Sequence, residues 1–301
     1  MKKFCMPRAL LGALIGGLSM LMFSSCATVD AVTGQSTYNM YTLQDDIKLG
    51  QSAKASNLQE IQKAGIPLNA DRKRTAQLDE ITRRISAVSD LPQLPYVTTL
   101  VHTSIVNACA FPGGEMMVFE GLYCPTNGLV NDEDELAAVM AHEIAHVNCR
   151  HSTERLTKIM MANIAVEVVA AVADHNDAGD VAMALRAVFL VGSALWIPMY
   201  SRTDEFEADR VGLFYMARAG YDPRAAPRIW KRVAAREKDR SSMMNIFATH
   251  PANKARYEAL EKMLPYAMEE YVAVIGEYPT GYVPPENVPP PGSFNWRRPP
   301  K

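Results

Sequence analysis

The sequence predicts an α+β fold that is predominantly helical, with a small antiparallel sheet just ahead of one central helix. Three observations predict it. Long stretches carry apolar residues at helical spacing, as at Leu78, Ile81 and Ile85. Short β-rich runs cluster between residues 96 and 119. Two apolar stretches fill most of 156–200, each longer than a strand. The chain has 301 residues, 48% of them apolar and 21% charged, with a net charge of −2. That composition suits one large globular domain.

Lys2, Lys3 and Arg8 precede an uncharged apolar run from Ala9 to Phe23. The run is too short to span a bilayer comfortably, and with small residues after it reads as a secretory signal peptide over residues 1–25. Phe23-Ser24-Ser25-Cys26 resembles a bacterial lipobox, so Cys26 is the expected lipidation site, with plain cleavage near Ala27 as the alternative. Ala27, rather than Asp, after the cysteine resembles an outer-membrane sorting signal. Losing residues 1–25 removes three basic residues and no acidic one, leaving a charge of about −5. No basic run or stacking array points to nucleic acid. Residues 26–41 are polar and aperiodic and read as a tether.

Helical spacing follows over 42–63 and 70–88. Tyr96–Val101 and Ser104–Ala110 are β-rich, Pro112-Gly113-Gly114 makes a tight turn, and Glu115–Phe119 returns as a strand. An exposed edge strand can hold an extended peptide by backbone pairing. That role is assigned here to Gly114, Glu115, Met116, Met117 and Val118. Asn131-Asp-Glu-Asp-Glu135 supplies cap and acidic first turn for the central helix, and Leu136, Val139 and Met140 its apolar stripe. Two helices are expected at about 156–173 and 179–198, either packed as core or exposed as a lid. Asp222-Pro223 opens a further helix to about Lys238, residues 239–248 form a loop, and Pro251 opens a helix ending near Leu264. The domain closes near residue 268. The last 31 residues hold eight prolines and no period, and 269–301 read as an extended tail.

The central helix carries His142-Glu143-Ile-Ala-His146. On a helix, His142 and His146 lie about 40° apart around the axis and about 6 Å along it, so both imidazoles reach one metal ion. Glu143 is rotated by about 100°, too far to ligate alongside them, but able to accept a proton from an attacking water. Two imidazoles and a carboxylate base are what zinc-assisted amide hydrolysis needs. Cys149 and Ser152 stand where a metzincin has glycine and histidine, which excludes that class. The third ligand comes from elsewhere. Glu205 and Asp209 share a helix face, so one could bind metal while the other orients a histidine. Glu207 points away from that face.

Together these blocks carry a resemblance. His142-Glu143-x-x-His146, then Ser201-Arg202-x-x-Glu205-x-x-Ala208-Asp209, is similar to the gluzincin zinc metallopeptidases of the HtpX, BepA and LoiP type. Asn107-Ala-Cys-Ala-Phe-Pro-Gly-Gly114 with Gly121-Leu122, and Thr249-His250-Pro251, agree in family order over about residues 40–265. Cys109 stands where the family has an aromatic, and Phe111 is bulkier than usual; both bear on substrate preference. The resemblance implies a zincin-type domain over 42–268 with one zinc ion. It assigns His142, His146 and Glu205 as ligands, Glu143 as general base and Asp209 as their support. It further implies protein substrates, misfolded or misassembled envelope proteins, in a bacterial periplasm. There the protein would be anchored through Cys26, sorted to the inner leaflet of the outer membrane and near envelope-assembly machinery. A zinc-containing chaperone or assembly factor is the alternative, although it has no need of Glu143.

His250 is the second catalytic candidate. His102 lies on the β-rich side, His175 in a polar connector, and His151 is rotated by about 140° from His146 on a continuous helix. His250 would occupy the metal's open position in a latent enzyme, stabilise the oxyanion, or simply start a helix. Cys109, Cys124 and Cys149 remain in an oxidising compartment, with Cys109–Cys124 the more plausible bridge and Cys149 alternatively a buried residue.

Overall fold

The computed structural model describes residues 27–124, 128–175, 179–196, 200–236, 250, 254–288, 290, 292 and 294–297. The expected signal peptide, Cys26 and the 239–248 loop lie outside the described residues.

The chain opens with an antiparallel hairpin, β1 (Ala27–Val29) and β2 (Ser36–Tyr38). Two helices follow, α1 (Leu43–Lys63) and α2 (Arg72–Ala87), capped by the side chains of Thr42 and Asp71. Each cap satisfies amide groups that a helix N-terminus otherwise leaves bare. The strands β3 (Val97–Val101), β4 (Ala108–Ala110) and β5 (Glu115–Phe119) form one sheet. Then come α3 (Glu133–Asn148), α4 (His151–His175), α5 (Gly179–Trp196), α6 (Arg202–Arg218), α7 (Ala225–Arg236) and α8 (Lys254–Ile275).

The expected fold class holds, with one refinement of the sheet. Its order is β3-β5-β4: the β4–β5 hairpin is antiparallel, and β3 joins β5 in parallel. The strand assigned to substrate is therefore central. Met116, Met117 and Val118 are paired on both sides, Glu115 pairs with Val97 and accepts the Phe111 amide, and Gly114 belongs to the turn, so this segment offers no free edge. Met116, Met117 and Val118 are buried, which suits the core, at about 1.5–3 kcal/mol for each large side chain. The free edge beside α3 belongs to β4. In the hairpin turn, Gly113 has φ 77°, and a Cβ there would meet the Ile47 backbone of α1 at 2.4 Å. Only glycine fits both demands.

Four other expectations are corrected. Residues 27–41 are not a loose tether. Asp30 accepts the amides of Val32 and Thr33, Val32 is buried in the core, and Asn39 Nδ2 and the Met40 amide donate to Thr153 and Thr157 of α4, both at 3.0 Å. The helix expected to stop near Leu264 runs through Pro265 to Ile275, since one proline removes one backbone bond without ending a well-packed helix. The proline-rich tail folds back: Phe294 stacks on Tyr266 at 4.2 Å and Trp296 on Phe214 at 5.2 Å. Cys109 and Cys149 are free thiols, so the Cys109–Cys124 bridge is not formed.

The core gathers around α3, whose residues Glu135 to Asn148 are all buried. Asp132 caps its start, its side chain accepting the Glu135 amide at 2.7 Å. α6 crosses it closely. A Cβ on Gly212 would lie 3.0 Å from the Ala141 carbonyl and the His142 nitrogen. A side chain here must push the two helices apart. Gly212→Val should cost about 1–3 kcal/mol in urea unfolding and weaken metal binding. Unchanged stability and unchanged metal affinity would show that the crossing tolerates separation.

Candidate metal centre

α3 ends abruptly. Cys149 closes it and Arg150 takes φ 55°, a left-handed conformation that costs a non-glycine residue. Arg150 is held there by a two-pronged ion pair to Asp46 of α1, at 2.6 and 3.0 Å. The turn redirects the chain, so α4 starts at His151 with its ring behind His146. α6 begins at Ser201, which forms a reciprocal capping box with Asp204. That start brings Glu205 and Asp209 against α3.

Four donors converge from three places in the chain. His142 Nε2 lies 3.1 Å from His146 Nε2, 3.3 Å from His250 Nδ1 and 3.5 Å from Glu205 Oε2. Glu205 Oε1 lies 3.5 Å from His146 Nε2 and 2.9 Å from His250 Nδ1. A tetrahedral zinc ion with bonds of about 2.0–2.1 Å sets its ligand atoms about 3.3 Å apart. The observed separations match that spacing, and all four residues are buried. The donor set fits such an ion.

Hydrogen-bond logic fixes which nitrogens are bare. His142 Nδ1 lies 3.0 Å from Asp209 Oδ1. A carboxylate only accepts, so this contact favours the proton on Nδ1 and leaves Nε2 to face the cluster. His146 is reached through one more link. In a neutral His151, Nε2 donating to Glu207 Oε2 at 3.2 Å leaves Nδ1 an acceptor. His146 Nδ1 therefore donates to it at 2.8 Å, and His146 Nε2 is bare as well. Both lone pairs face the same point. The helical-rotation argument rightly kept His151 off the metal face, but it assumed an unbroken helix and missed this backing role. Glu207 does point away from Glu205, toward His151.

Charge balance rests on Arg256 of α8. Its guanidinium meets Glu205 Oε2 at 2.6 Å and Asp209 at 2.6 and 2.7 Å, and it lies 3.5 Å over the Trp230 ring. Burial pushes the Asp209 carboxyl up, but Arg256 and His142 together hold its pKa below the usual range. Burial likewise opposes ionisation of Glu205, and His250 and Arg256 together hold it well below. Glu143 differs: burial raises its pKa, with His250 and His142 pulling the other way. A raised carboxyl suits a group that must take up and release a proton. Burial disfavours a charged His142, yet Asp209 and Glu205 raise its pKa to about 9, so a proton competes with a metal for this nitrogen. Sequence reasoning had no signal for Arg256. Nor had it one for Tyr200, whose ring stacks on His146 at 3.9 Å.

His250 Nε2 lies 3.3 Å from Glu143 Oε1, so one ring touches both the donor cluster and the expected base. Beside them, Leu129, Val139, Ile229 and Trp230 line an apolar pocket that reaches His142, Glu143 and His250. The backbone of Ala110, on the β4 edge, is within hydrogen-bonding reach of Glu143.

A helix presenting two histidines and a glutamate, met by a carboxylate from a second helix, defines a zincin-type metallopeptidase centre. The profile of peptidase family M48 matches residues 72–264, and the chain belongs to that family. It is a metalloendopeptidase. It is 31% identical over 256 residues to the mitochondrial metalloendopeptidase OMA1 of Schizosaccharomyces pombe, covering 85% of this chain and 72% of that protein. It is 32% identical over 196 residues to the OMA1 protein of Arabidopsis thaliana, covering 65% of this chain and 37% of that protein. The beta-barrel assembly-enhancing protease of Yersinia pestis shares 30% over 200 residues, covering 64% of this chain and 40% of that protein. The chain thus spans about two-fifths of the length of the latter two.

Removing the support behind His146 tests the hydrogen-bond chain. His151→Ala should weaken zinc binding by about 10–100-fold, read by chelator competition. An unchanged affinity would show that His146 needs no partner at Nδ1.

Proposed function

We propose that the chain is a zinc-dependent endopeptidase that cleaves misfolded or misassembled cell-envelope proteins. The observation that carries the reading is the convergence of His142, His146 and Glu205, with Glu143 at the rim. In this reading those three side chains hold the ion, and Asp209 and His151 orient the two imidazoles. Zinc held there would polarise the scissile carbonyl and lower the pKa of water to about 7. Glu143 takes the proton of the attacking water and returns it to the leaving amine. The substrate lies along β4, at Ala108, Cys109 and Ala110, because that strand has the free edge and ends beside Glu143. The envelope assignment draws support from the relatives named as beta-barrel assembly-enhancing proteases.

His250 belongs to the same proposal. Its Nδ1 stands among the donors, which favours a fourth ligand and a latent enzyme over an oxyanion donor. With the four donor residues and Glu143 all buried, substrate entry requires His250 to withdraw.

A casein-degradation assay with parallel zinc analysis separates these roles. Glu143→Gln should keep zinc and lose nearly all hydrolysis, because an amide cannot accept the water proton. Glu205→Ala should lose zinc and activity together. His250→Ala should keep zinc and raise basal cleavage. Substantial hydrolysis by the Glu143→Gln protein would remove Glu143 as base. A fall of about 10²-fold in His250→Ala would instead support oxyanion stabilisation.

We further propose that Cys26 carries lipid and tethers the protein on the periplasmic side of the outer membrane. Firm anchoring takes two or more acyl chains, so the intact mass of the native protein should include them. A soluble mature chain beginning at Ala27 or later would overturn this.

A further inference from the structure

The hairpin of α4 and α5 has no part in the metal centre beyond His151 at its root. Its composition is that of an interior, yet its surface faces outward. Val169, Val181, Met183 and Val188 are 55%, 55%, 66% and 73% exposed. Soluble proteins show such residues singly, and a contiguous apolar surface marks something that covers it. The exposed positions are not confined to one stripe. Met160 and Val169 are nine residues apart, on opposite sides of α4. Met183 is turned by about 200° from Val181 on α5. A helix apolar all round belongs inside a protein or inside lipid, and the described residues of this chain do not cover it.

The charges on the hairpin follow a pattern that suits lipid. Halfway along, Arg186 of α5 reaches across to Glu167 and Asp174 of α4, at 3.0 and 3.2 Å. Arg186 thus offsets one of the two carboxylate charges within the hairpin and ties both carboxylates to its own side chain. The other charged groups gather at its two ends, Glu154 and Lys158 at the base and Asp180 at the turn. By length and composition alone α4 could cross a membrane. Residues 159–173, interrupted only by the paired Glu167, rise about 22 Å, short of the roughly 30 Å hydrocarbon core. A helix of that length falls short of crossing and can lie within one leaflet.

A bilayer fits better than a second copy of the chain. A dimer partner covers one face, whereas these helices are apolar on opposite faces. The N-terminal segment points the same way. Residues 1–26, with the apolar run Ala9–Phe23, lie outside the described residues and end at Ala27 of β1. The β1–β2 hairpin then docks on the base of α4 through Asn39 and Met40. Val29, 71% exposed, and Tyr38 add further exposed apolar side chains on that hairpin.

We propose that α4 and α5 lie side-on in the acyl-chain region of one leaflet of a lipid bilayer, holding the metal centre at the membrane surface. The inference depends neither on lipidation of Cys26 nor on the peptidase reading, because it concerns where the hairpin itself sits.

The test places the photo-crosslinking residue p-benzoylphenylalanine at Val169, at Val188 and, as a control, at Gln59 on the exposed side of α1. Each full-length protein is reconstituted with phosphatidylethanolamine–phosphatidylglycerol vesicles, irradiated and analysed by mass spectrometry. Lipid adducts are expected at Val169 and Val188 and not at Gln59. Vesicle-bound protein without lipid adducts at either hairpin position would overturn the proposal, since the protein would then be held by its N-terminus alone. Cross-linked dimers in place of lipid adducts would overturn it in favour of a second copy. These positions are on the surface, and circular dichroism checks each fold; Val181 replaces any position that fails.

Discussion

The close crossing of α3 and α6 is the constraint on which the rest depends. Gly212 lets the two backbones approach, and only at that separation do His142 and His146 on one helix and Glu205 on the other come within a metal's reach. The approach also crowds three buried carboxylates, those of Glu143, Glu205 and Asp209, into a dry interior. Unpaired charges there would be costly. Arg256 answers two of them with short ion pairs, and breaking such a buried pair on one side costs about 3–5 kcal/mol. The final helix thus stabilises the site electrostatically although it supplies none of the three expected ligands.

Around this crossing, each imidazole is held from behind. Asp209 backs His142 directly, and Glu207 backs His146 through His151. The two chains differ in length but have the same effect: the proton sits on Nδ1 and the lone pair of Nε2 faces the cluster. Such preorganisation lets a site bind metal without first rotating a ring. The burial of the cluster and the position of His250 describe a closed arrangement, in which the same geometry that suits the metal keeps solvent and polypeptide out.

The centre and the helical hairpin beside it contrast in their solvation. Every apolar residue of α3 is packed, whereas much of α4 and α5 is exposed, though they follow α3 directly. The left-handed turn at Arg150 separates the two regimes. Before it the chain runs through the core; after it the chain leaves the core, with His151 still bound to the site and the remainder facing outward.

Local regularities in the sequence determined much of this protein. Helix boundaries such as those near Thr42 and Asp71, the β4–β5 hairpin around Pro112-Gly113-Gly114, and the shared face of His142 and His146 all follow from spacing and caps, which act within a few residues. The order of strands did not follow, because pairing β3 with β5 is a contact across the sheet, and it moved the free edge from Glu115–Phe119 to β4. Nor did the packing of the tail, where Trp296 meets Phe214 over 82 residues of chain, or the role of His151, which depends on one turn breaking a helix. Arg256 had no signal at all. Spacing along a helix fixes which side chains share a face, but what that face meets is set by long-range packing, and only the tertiary structure decided it.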